Sequence, residues 1–508
     1  VDYEAKLYIN GEQAGEHSGG YTPFSIDITP YVSGKEQEVV LRVYDPHTDE
    51  FIPRGKQFWE KESRGIWYTN STGIWQTVWA EYVPEKHIEN VKFTPLFDSG
   101  RVLVKCRGTG LEKGDSLSYK IGLKGTEIAG GVLLWKADEL EFSVDVICSR
   151  IFNTNFHEDG IAWTPENPVL FDVELAVLGK DMEVCDGVSS YFGFRKIHAE
   201  NGMVYLNNKP YYQKLVLDQG YWPEGLLTAP NDEALKKDIA FLSGDSRKHQ
   251  KIEDPRFLYW ADKLGFLIWG ESASTAMYNG YSVKRTMDEW WEAVERDYNH
   301  PCIVAWVPIN ESWGVPDIAR DCAQQSFSLT MYHFLHAIDG TRLVISNDGW
   351  EMTKTDVCAI HNYRHGQQDE PQVYEEYCNM LATRESLINY PSTCREIYAH
   401  GFHHEGEPIM LTEFGGIGFD VSDEKGWGYS SAETEEEFIQ SYSRIMDAVY
   451  ASKGLWGFCY TQLTDVEQEI NGLYTYDRKP KCSPERIREI NERYHVSRIV
   501  EQRNIRVL

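Results

Sequence analysis

The sequence predicts a multidomain protein that combines β-rich domains with an α/β domain, in the form of two strand-rich regions followed by a (β/α)8 (TIM) barrel. Length is the first observation, because 508 residues suffice for about three domains of roughly 100–200 residues each. The second observation is a series of short, alternating apolar segments that continues to residue 197. The third is a change after Lys209, where apolar runs of strand length alternate with helical patterns, over enough chain for a barrel of about 250 residues.

The two strand-rich regions are residues 1–83 and 84–197. Gly, Asn and Pro separate the strand-like runs of the first region, and the second region has the short strand spacing of a β-sandwich. The predicted strands are "AKLYING", "FSIDI", "EVVLRVYD" and "WQTVWAEYV" in the first region, and "RVLVKC", "LSYKIGL" and "FDVELAVL" in the second. Because the chain begins inside a strand-like run, we expect the first domain to be incomplete at its N-terminus, so a targeting segment cannot be judged.

Residues 198–508 are predicted to form the barrel. The strand-like runs are nearly continuous in apolar character, as expected of strands that are buried on both faces. The eight predicted strands are "YYQKLVL" (211–217), a weak strand at 245–249, "FLIWGE" (266–271), "IVAWVPI" (303–309), "RLVISN" (342–347), "DVCAIHNY" (356–363), "PIMLTEF" (408–414) and "GLWGFCYT" (454–461). A doubly wound sheet is the weaker alternative, because no glycine-rich phosphate turn follows the first strand.

The composition indicates folded domains, since 42% of the residues are hydrophobic and 25% are charged. A net charge of −29 argues against nucleic acid or an anionic membrane as a partner, because both require a basic surface. None of the ten cysteines forms a CxxC pair, so we expect scattered thiols in a reducing compartment and a cytoplasmic protein. The 16 Trp and 30 Tyr fit either large cores or platforms for flat ligand faces.

Two carboxylates are predicted to meet at the mouth of the barrel. Active sites of such barrels lie at the C-terminal ends of the strands; Glu311 follows the fourth strand and Glu413 ends the seventh. One carboxyl group can then donate a proton while the other acts as a nucleophile. Either residue alone also fits a strand-end carboxylate bonded to arginine or backbone amides, but the pair favours catalysis. Trp306 and Trp313 would raise the pKa of Glu311 by desolvation if they face it.

Several segments match the patterns of one enzyme family. They are "YINGEQAGEHSGGYTPFSIDITPYV", "SRGIWYTNSTGIWQTVW", "FGFRKI", "RDYNHPCIVAWVPINES", "PIMLTEFGG" and "GLYTYDRKPK". On these segments the chain resembles glycoside hydrolase family 2, the β-galactosidase and β-glucuronidase group, over essentially its whole length. The resemblance implies a jelly-roll sugar-binding domain at 1–83, an immunoglobulin-like β-sandwich at 84–197 and a catalytic TIM barrel at 198–508.

The resemblance further implies retaining exo-hydrolysis of terminal β-linked sugars without a cofactor. Glu413 would be the nucleophile and Glu311 the acid/base. The expected partner is a carbohydrate substrate, with neither nucleic acid nor membrane, and association into a homo-oligomer would match many relatives. An inactive carbohydrate-binding homologue is the alternative, because the second barrel unit is shortened.

A set of substrate-binding residues follows from the same resemblance. Asn310 would bond the sugar 2-hydroxyl. Tyr363 would bond the nucleophile, with a core aromatic as the alternative, and Tyr460 stands where relatives place a tryptophan under the sugar, with a barrel-filling residue as the alternative. The other predicted contacts are Arg247, His249, Glu271 and Asn362, of which His249 also fits a structural histidine and Glu271 a charge partner for Arg247.

The chain departs from the family pattern in the second and third barrel units. The segment before Arg247 is several residues shorter than in relatives, which could displace Arg247 or remove the local strand. Gln250 stands where relatives often carry a histidine. Large β-galactosidases bind magnesium after the third strand, where this chain has Thr275 and Met277, so we expect no metal.

The expected sugar is neutral. β-Glucuronidases carry Asn-x-Lys, whose lysine meets the sugar carboxylate, where this chain has Glu469-Ile470-Asn471. Without that cation, and with Glu469 present, a uronic acid would be repelled. A β-galactoside is therefore the first expectation, with a β-mannoside or an arabinoside left open.

Overall fold

The structure is a computed structural model that describes residues 1–147, 160–241, 244–389, 395–421 and 426–493. Within these ranges, every helix is too short or too polar to cross a membrane. The strands are β1 (Glu4–Ile9), β2 (Glu12–Ser18), β3 (Val39–Tyr44), β4 (His87–Leu96), β5 (Arg101–Thr109), β6 (Ser116–Leu123), β7 (Thr126–Leu134), β8 (Glu139–Asp145), β9 (Leu170–Leu178), β10 (Val184–Gly193), β11 (Ile197–Glu200), β12 (Met203–Leu206), β13 (Lys209–Pro210), β14 (Gln213–Asp218), β15 (Asp245–Lys248), β16 (Ile268–Glu271), β17 (Ile303–Val307), β18 (Leu343–Val344), β19 (Cys358–Asn362), β20 (Ile409–Gly415), β21 (Ile417–Phe419), β22 (Ser430–Ala432) and β23 (Leu455–Thr461). The helices are α1 (Asp232–Phe241), α2 (Pro255–Leu264), α3 (Gly280–Asp297), α4 (Cys322–Ile338), α5 (Pro371–Leu381), α6 (Arg384–Asn389), α7 (Glu435–Ala451) and α8 (Pro484–Asn491).

The N-terminal region forms one antiparallel sheet in the order β2-β1-β3. The predicted strands "AKLYING" and "EVVLRVYD" correspond to β1 and β3. The predictions of strands at "FSIDI" and "WQTVWAEYV" are wrong, because these segments pair with no described strand and extended backbone needs a ladder partner. Side chains of the second segment stay open to solvent, as shown by Val78, Trp79 and Tyr82.

The second region is a β-sandwich. A three-stranded sheet, β4-β5-β8, faces a four-stranded sheet, β10-β9-β6-β7. Alternating residues from both sheets form its core, for example Val102, Val104 and Cys106 along β5. The region is anchored to the barrel by the buried Arg195, whose guanidinium donates to the carbonyls of Pro301 (3.1 Å), Thr341 (2.9 Å) and Ile303 (2.6 Å).

The C-terminal region is an eight-stranded parallel sheet in the order β18-β17-β16-β15-β14-β23-β20-β19. A parallel bridge between Gly349 and Ile360 links the two ends of this order, which gives the barrel. All eight predicted strands are present. The weak second strand forms as β15 and pairs with β14 and β16 on either side, so the shortened unit does not remove it.

The fifth barrel unit differs from the prediction. Its strand is reduced to Leu343–Val344, and the described chain between β18 and β19 contains no helix. Polar residues fill the space instead, since Ser346, Asn347 and Asp348 are fully buried. Their hydrogen bonds keep this segment irregular and place Asp348 at the barrel mouth.

Candidate active site

Glu311 lies on a tight turn that follows strand β17. Glu311 and Ser312 both adopt left-handed backbone conformations, with φ of 51° and 60°. Non-glycine residues rarely take this conformation, and such strain concentrates at functional sites. The neighbouring unit holds the turn, because Glu311 N–H donates to the carbonyl of Asp348 (2.8 Å) and Ser312 N–H donates to the side chain of Asn347 (3.0 Å). The turn leaves the Glu311 carboxylate about one-fifth exposed in the barrel mouth.

Glu413 lies at the end of β20 and is held by two donors. Arg247 Nη1 donates to its Oε1 (2.9 Å), and the Tyr363 hydroxyl donates to its Oε2 (2.6 Å). Thr461 in turn bonds the Tyr363 hydroxyl (2.9 Å). Arg247 also donates to Asn310 Oδ1 (2.7 Å), so one fully buried guanidinium fixes the nucleophile candidate and the residue before Glu311.

His361 connects the two predicted catalytic carboxylates. Its Nδ1 lies 2.8 Å from Glu311 Oε1 and 3.5 Å from Glu413 Oε2. Its Nε2 lies 3.1 Å from Asp348 Oδ1, and Asp348 also lies 3.0 Å from Arg247 Nε. The imidazole is therefore fixed in orientation, with one nitrogen turned to the carboxylate pair and the other to a buried carboxylate.

The charges in this cluster are strongly shifted. Burial opposes a charge on His361, but Glu413, Asp348 and Glu311 outweigh burial and raise its pKa to about 10. Burial alone would raise the pKa of Glu413, yet His361 and Arg247 hold it below the ordinary value. The same two cations overcome burial at Asp348 and lower its pKa to about 2. At neutral pH, Glu413 is thus an anion facing two cations.

The Glu311–Glu413 spacing decides what chemistry the pair can perform. One carboxylate oxygen of each residue and a nitrogen of His361 lie within 4.8 Å of one another. Retaining glycosidases place their two carboxyl groups about 5–5.5 Å apart, whereas inverting enzymes leave about 6.5–9.5 Å. The same three groups could also surround a metal ion.

Glu271 and His249 lie in the same cluster, and His249 Nδ1 is 3.8 Å from Glu413 Oε1. Glu271 Oε2 accepts from Arg247 Nε (2.8 Å), and its Oε1 accepts from the backbone N–H of Gln250 (2.8 Å), as the charge-partner interpretation predicts. Burial raises the pKa of Glu271 to about 7 despite Arg247. His249 Nδ1 lies 3.2 Å from Arg247 Nη2, and burial with nearby Lys56 lowers the pKa of His249, which keeps the ring neutral.

Trp306 does not face Glu311, so it cannot desolvate this carboxyl group as the sequence analysis considered. This side chain lies on the outer face of the sheet, where its indole N–H donates to Asp339 (2.9 Å) and its ring packs edge-on against Trp290. Side chains alternate along a strand, so Trp306 cannot share the inner face with the site. Trp313 lies at the mouth and packs edge-on against Trp67, with ring centroids 4.9 Å apart.

Two predicted substrate contacts fall outside the cluster. The Asn362 amide donates to Met380 Sδ (3.1 Å) and accepts from the backbone N–H of Arg364, so it stabilises the strand end. Tyr460 lies on the outer face of β23 and packs against Tyr442 of helix α7, so it neither faces the mouth, as the resemblance implies, nor fills the barrel interior. In both cases the strand register decides which face a residue occupies.

A loop of the N-terminal region, residues 54–68, contacts the barrel mouth. Gly55 lies so close to the barrel that a Cβ would meet the carbonyl oxygen of Gln250 at 2.5 Å, and its φ of 60° also favours glycine. Trp67 packs against Trp313, and the Tyr68 hydroxyl donates to Glu469 (2.6 Å). The site is therefore built from both regions of the chain.

Sequence reasoning missed His361, Asp348 and this loop. His361 and Asp348 follow the rule that found Glu311 and Glu413, since they lie at or just beyond the C-terminal ends of the sixth and fifth strands. The loop gave no local signal, because its role depends on packing against residues about 200–400 positions away in the chain.

The barrel, the sandwich and the carboxylate pair together define a class of glycoside hydrolases. A family model described as "Glycosyl hydrolases family 2, TIM barrel domain" matches residues 253–496, and "Glycosyl hydrolases family 2" matches residues 86–195. The chain belongs to glycoside hydrolase family 2.

Relatives and similar solved structures carry three different activity names. A beta-galactosidase from Thermoanaerobacter pseudethanolicus is 26% identical over 359 residues, which cover 66% of this chain and 44% of that protein. A beta-glucuronidase from Streptococcus agalactiae is 22% identical over 549 residues, which cover 95% of this chain and 82% of that protein. A solved beta-galacturonidase from Eisenbergiella tayi bound to galacturonate has a TM-score of 0.72 at 18% identity and covers 97% of this chain and 86% of its own, which shows a shared fold. The chain spans less than half the length of several curated relatives.

Proposed function

We propose that the chain forms the catalytic centre of a retaining exo-β-glycosidase that acts through a glycosyl-enzyme intermediate. The single observation that carries this proposal is the carboxylate pair at the barrel mouth. One oxygen of Glu311 and one oxygen of Glu413 lie within 4.8 Å of each other, which fits the short spacing of retaining enzymes better than the wider spacing of inverting enzymes.

Glu413 is the proposed nucleophile. His361 and Arg247 keep its pKa low against burial, so the group is ionised at neutral pH. Hydrogen bonds from Arg247 and Tyr363 hold both oxygens in place, which orients one of them for attack on the anomeric carbon. The nucleophile forms a bond to this carbon while the bond from the carbon to the leaving oxygen breaks.

Glu311 is the proposed acid/base. It is the more exposed of the two carboxyl groups, so it can reach the leaving oxygen and later an incoming water. It first gives its proton to the leaving oxygen and then accepts a proton from the water that cleaves the intermediate. His361 Nδ1 contacts Glu311 Oε1 and so fixes the carboxyl plane, leaving the second oxygen to exchange protons.

Asn310 is the proposed contact for the sugar 2-hydroxyl. Its Oδ1 is occupied by Arg247, and its buried Nδ2 has no hydrogen-bond partner among the described residues. A buried donor without a partner costs about 1–3 kcal/mol, so a ligand oxygen at this position would relieve that cost.

The sugar itself has two candidates. The sequence favours a neutral β-galactoside, because the Asn-x-Lys cation of β-glucuronidases is missing at Glu469-Ile470-Asn471. A hexuronide is the second candidate, since relatives are named beta-glucuronidase as well as beta-galactosidase, and since the buried cation Lys56 lies at the same mouth.

A panel of nitrophenyl glycosides tests the proposal. It should contain α- and β-galactosides, glucosides, mannosides, arabinosides, glucuronides and galacturonides, and we expect release from a β-anomer with retention of configuration by NMR. Glu413→Gln should lower kcat by several orders of magnitude and leave the melting temperature nearly unchanged. Glu311→Ala should affect substrates with poor leaving groups most, because good leaving groups need no proton.

Two results would overturn the assignment. Near-normal turnover by Glu413→Gln would refute the assignment of Glu413 as the nucleophile. Binding of sugars without any turnover by the wild-type chain would favour the inactive carbohydrate-binding homologue. The exposed Glu433→Gln variant is a matched control, since it makes the same change on the surface before α7.

A further inference from the structure

Lys56 is a largely buried lysine whose ammonium group has no partner among the residues that the structure describes. It belongs to the loop 54–68 and is only 6% exposed. Three other described lysines are buried, and each has a carboxylate: Lys248 pairs with Asp218 and Glu253, Lys251 with Glu253, and Lys481 with Asp465. The Lys56 ammonium has neither a hydrogen bond nor an ion pair with a described residue, and it lies 5.9 Å from the centre of the Trp67 ring.

A counter-charge from a ligand would stabilise an ammonium group in this position. Taking an ammonium group out of water costs several kcal/mol, which an ion pair with good hydrogen bonds offsets. Glu469 attracts Lys56 at a distance, and this attraction partly opposes the rise that burial causes in the pKa of Glu469. The Glu469 carboxylate is nevertheless engaged elsewhere, because it accepts from the Tyr68 hydroxyl (2.6 Å) and from Asn471 Nδ2 (3.1 Å).

Lys56 lies at the proposed sugar site. The residue before it, Gly55, contacts Gln250, which directly follows His249. Lys56 also acts electrostatically on both His249 and Glu469. Its ring contact, Trp67, packs against Trp313, two residues beyond Glu311. These contacts place the ammonium group on the rim of the same mouth that holds the carboxylate pair.

Three further donors without a described partner belong to residues in or next to the active-site cluster. Gln250 Nε2, Trp313 Nε1 and Asn310 Nδ2 are all buried and have no hydrogen-bond partner among the described residues. Each of these atoms can only donate. A ligand that fills the mouth must therefore bring acceptor oxygens, and beside Lys56 it must bring negative charge.

We propose that Lys56 is a specificity-determining residue that binds the carboxylate of a terminal hexuronic acid. This inference rests on the proposed β-glycosidase function and names the substrate class of that site. A hexuronide supplies one carboxylate for the ammonium and hydroxyl oxygens for the free donors. The cation comes from the N-terminal region, about 400 residues before the position where the sequence lacks it.

Four variants and paired substrates test this inference. kcat/KM is measured for nitrophenyl β-glucuronide and β-galacturonide and for the matching β-glucoside and β-galactoside. Wild type should favour a uronide over its neutral counterpart by at least about tenfold. Lys56→Met should lower kcat/KM for the uronide by about 10- to 150-fold, because the variant loses one charged hydrogen bond. It should change kcat/KM for the neutral sugar by less than about twofold. Lys56→Arg should retain most of the preference, because it keeps the charge.

Lys61→Met is the matched control, since it removes an exposed cation from the same loop and should change neither substrate. Isothermal titration of D-glucuronate and D-galacturonate into wild type, Lys56→Met and Glu413→Gln measures binding apart from catalysis. Equal loss of both substrate types in Lys56→Met would overturn the inference and make Lys56 a structural partner of Glu469. Wild type that hydrolyses only neutral sugars and does not bind hexuronates would also overturn it.

The two proposals fail in different ways. If wild type hydrolyses no glycoside but binds a hexuronate through Lys56, the anion site is supported and the proposed glycosidase function is refuted. If Lys56→Met does not fold, the uronide preference of wild type and its retention in Lys56→Arg decide the inference.

Discussion

Replacing His361 with asparagine should shift the acidic limb of the pH–rate profile. The imidazolium lies 3.5 Å from Glu413 Oε2 and is one of two cations that keep the Glu413 pKa low against burial. An opposite charge within about 4–6 Å typically lowers a carboxyl pKa by about 1–3 units. The His361→Asn variant loses this charge but keeps a donor of similar size, so the Glu413 pKa should rise by about 1–3 units.

The assay is kcat/KM against pH with an activated aryl glycoside. Because Glu413 must be ionised to attack, a higher pKa means that activity is lost at a higher pH as the solution is acidified. A shift of about two units corresponds to roughly 3 kcal/mol of lost carboxylate stabilisation. Melting curves at each pH ensure that the rates refer to folded protein.

His365→Asn is the matched control for this substitution. His365 is also buried and lies four residues later, but among the described residues its nitrogens bond the backbone carbonyls of Gly366 and Gly415 and no carboxylate. It should leave the acidic limb in place. A His361→Asn profile that falls uniformly in kcat without any movement of the acidic limb would refute the electrostatic role and leave only an orienting hydrogen bond.

Two further substitutions have defined outcomes. Tyr363→Phe removes the hydroxyl that donates to Glu413 at 2.6 Å and should lower kcat by about 10- to 150-fold; an unchanged kcat would return Tyr363 to the core-aromatic interpretation. Burial raises the pKa of Asp245 from 3.8 to about 8. Between these pH values the folded protein binds more protons than the unfolded protein. The free energy of unfolding therefore falls as the pH rises through that window, by up to about 6 kcal/mol. Asp245→Asn removes this slope and should raise the melting temperature more at pH 8.5 than at pH 4.5, and an equal change at both would contradict a neutral, buried Asp245.

The barrel strands and the position of the carboxylate pair were predictable because they depend on local patterns. Near-continuous apolar runs indicate strands buried on both faces, and barrel geometry then brings Glu311 and Glu413 to one mouth. The shortened second unit also kept its strand, since a four-residue run between two neighbours suffices for parallel pairing.

It was harder to predict on which face of a strand an individual side chain lies. Trp306 lies four residues before Asn310, and Tyr460 directly precedes Thr461, yet both side chains lie on the outer face against helices α3 and α7. A shift of one residue along a strand reverses the face of every side chain, and the strand ends are the positions that sequence patterns define least well.

The sequence by itself determined the family, the barrel and the position of the two carboxylates at strand ends. Each of these depends on a contiguous segment with its own periodicity or motif. Only the tertiary structure placed His361 between those carboxylates, Asp348 behind it and Lys56 at the rim. These groups act through charge across a few ångströms, and their partners come from loops that are tens to hundreds of residues apart in the chain. Such contacts depend on how the domains and loops pack, which no local pattern records.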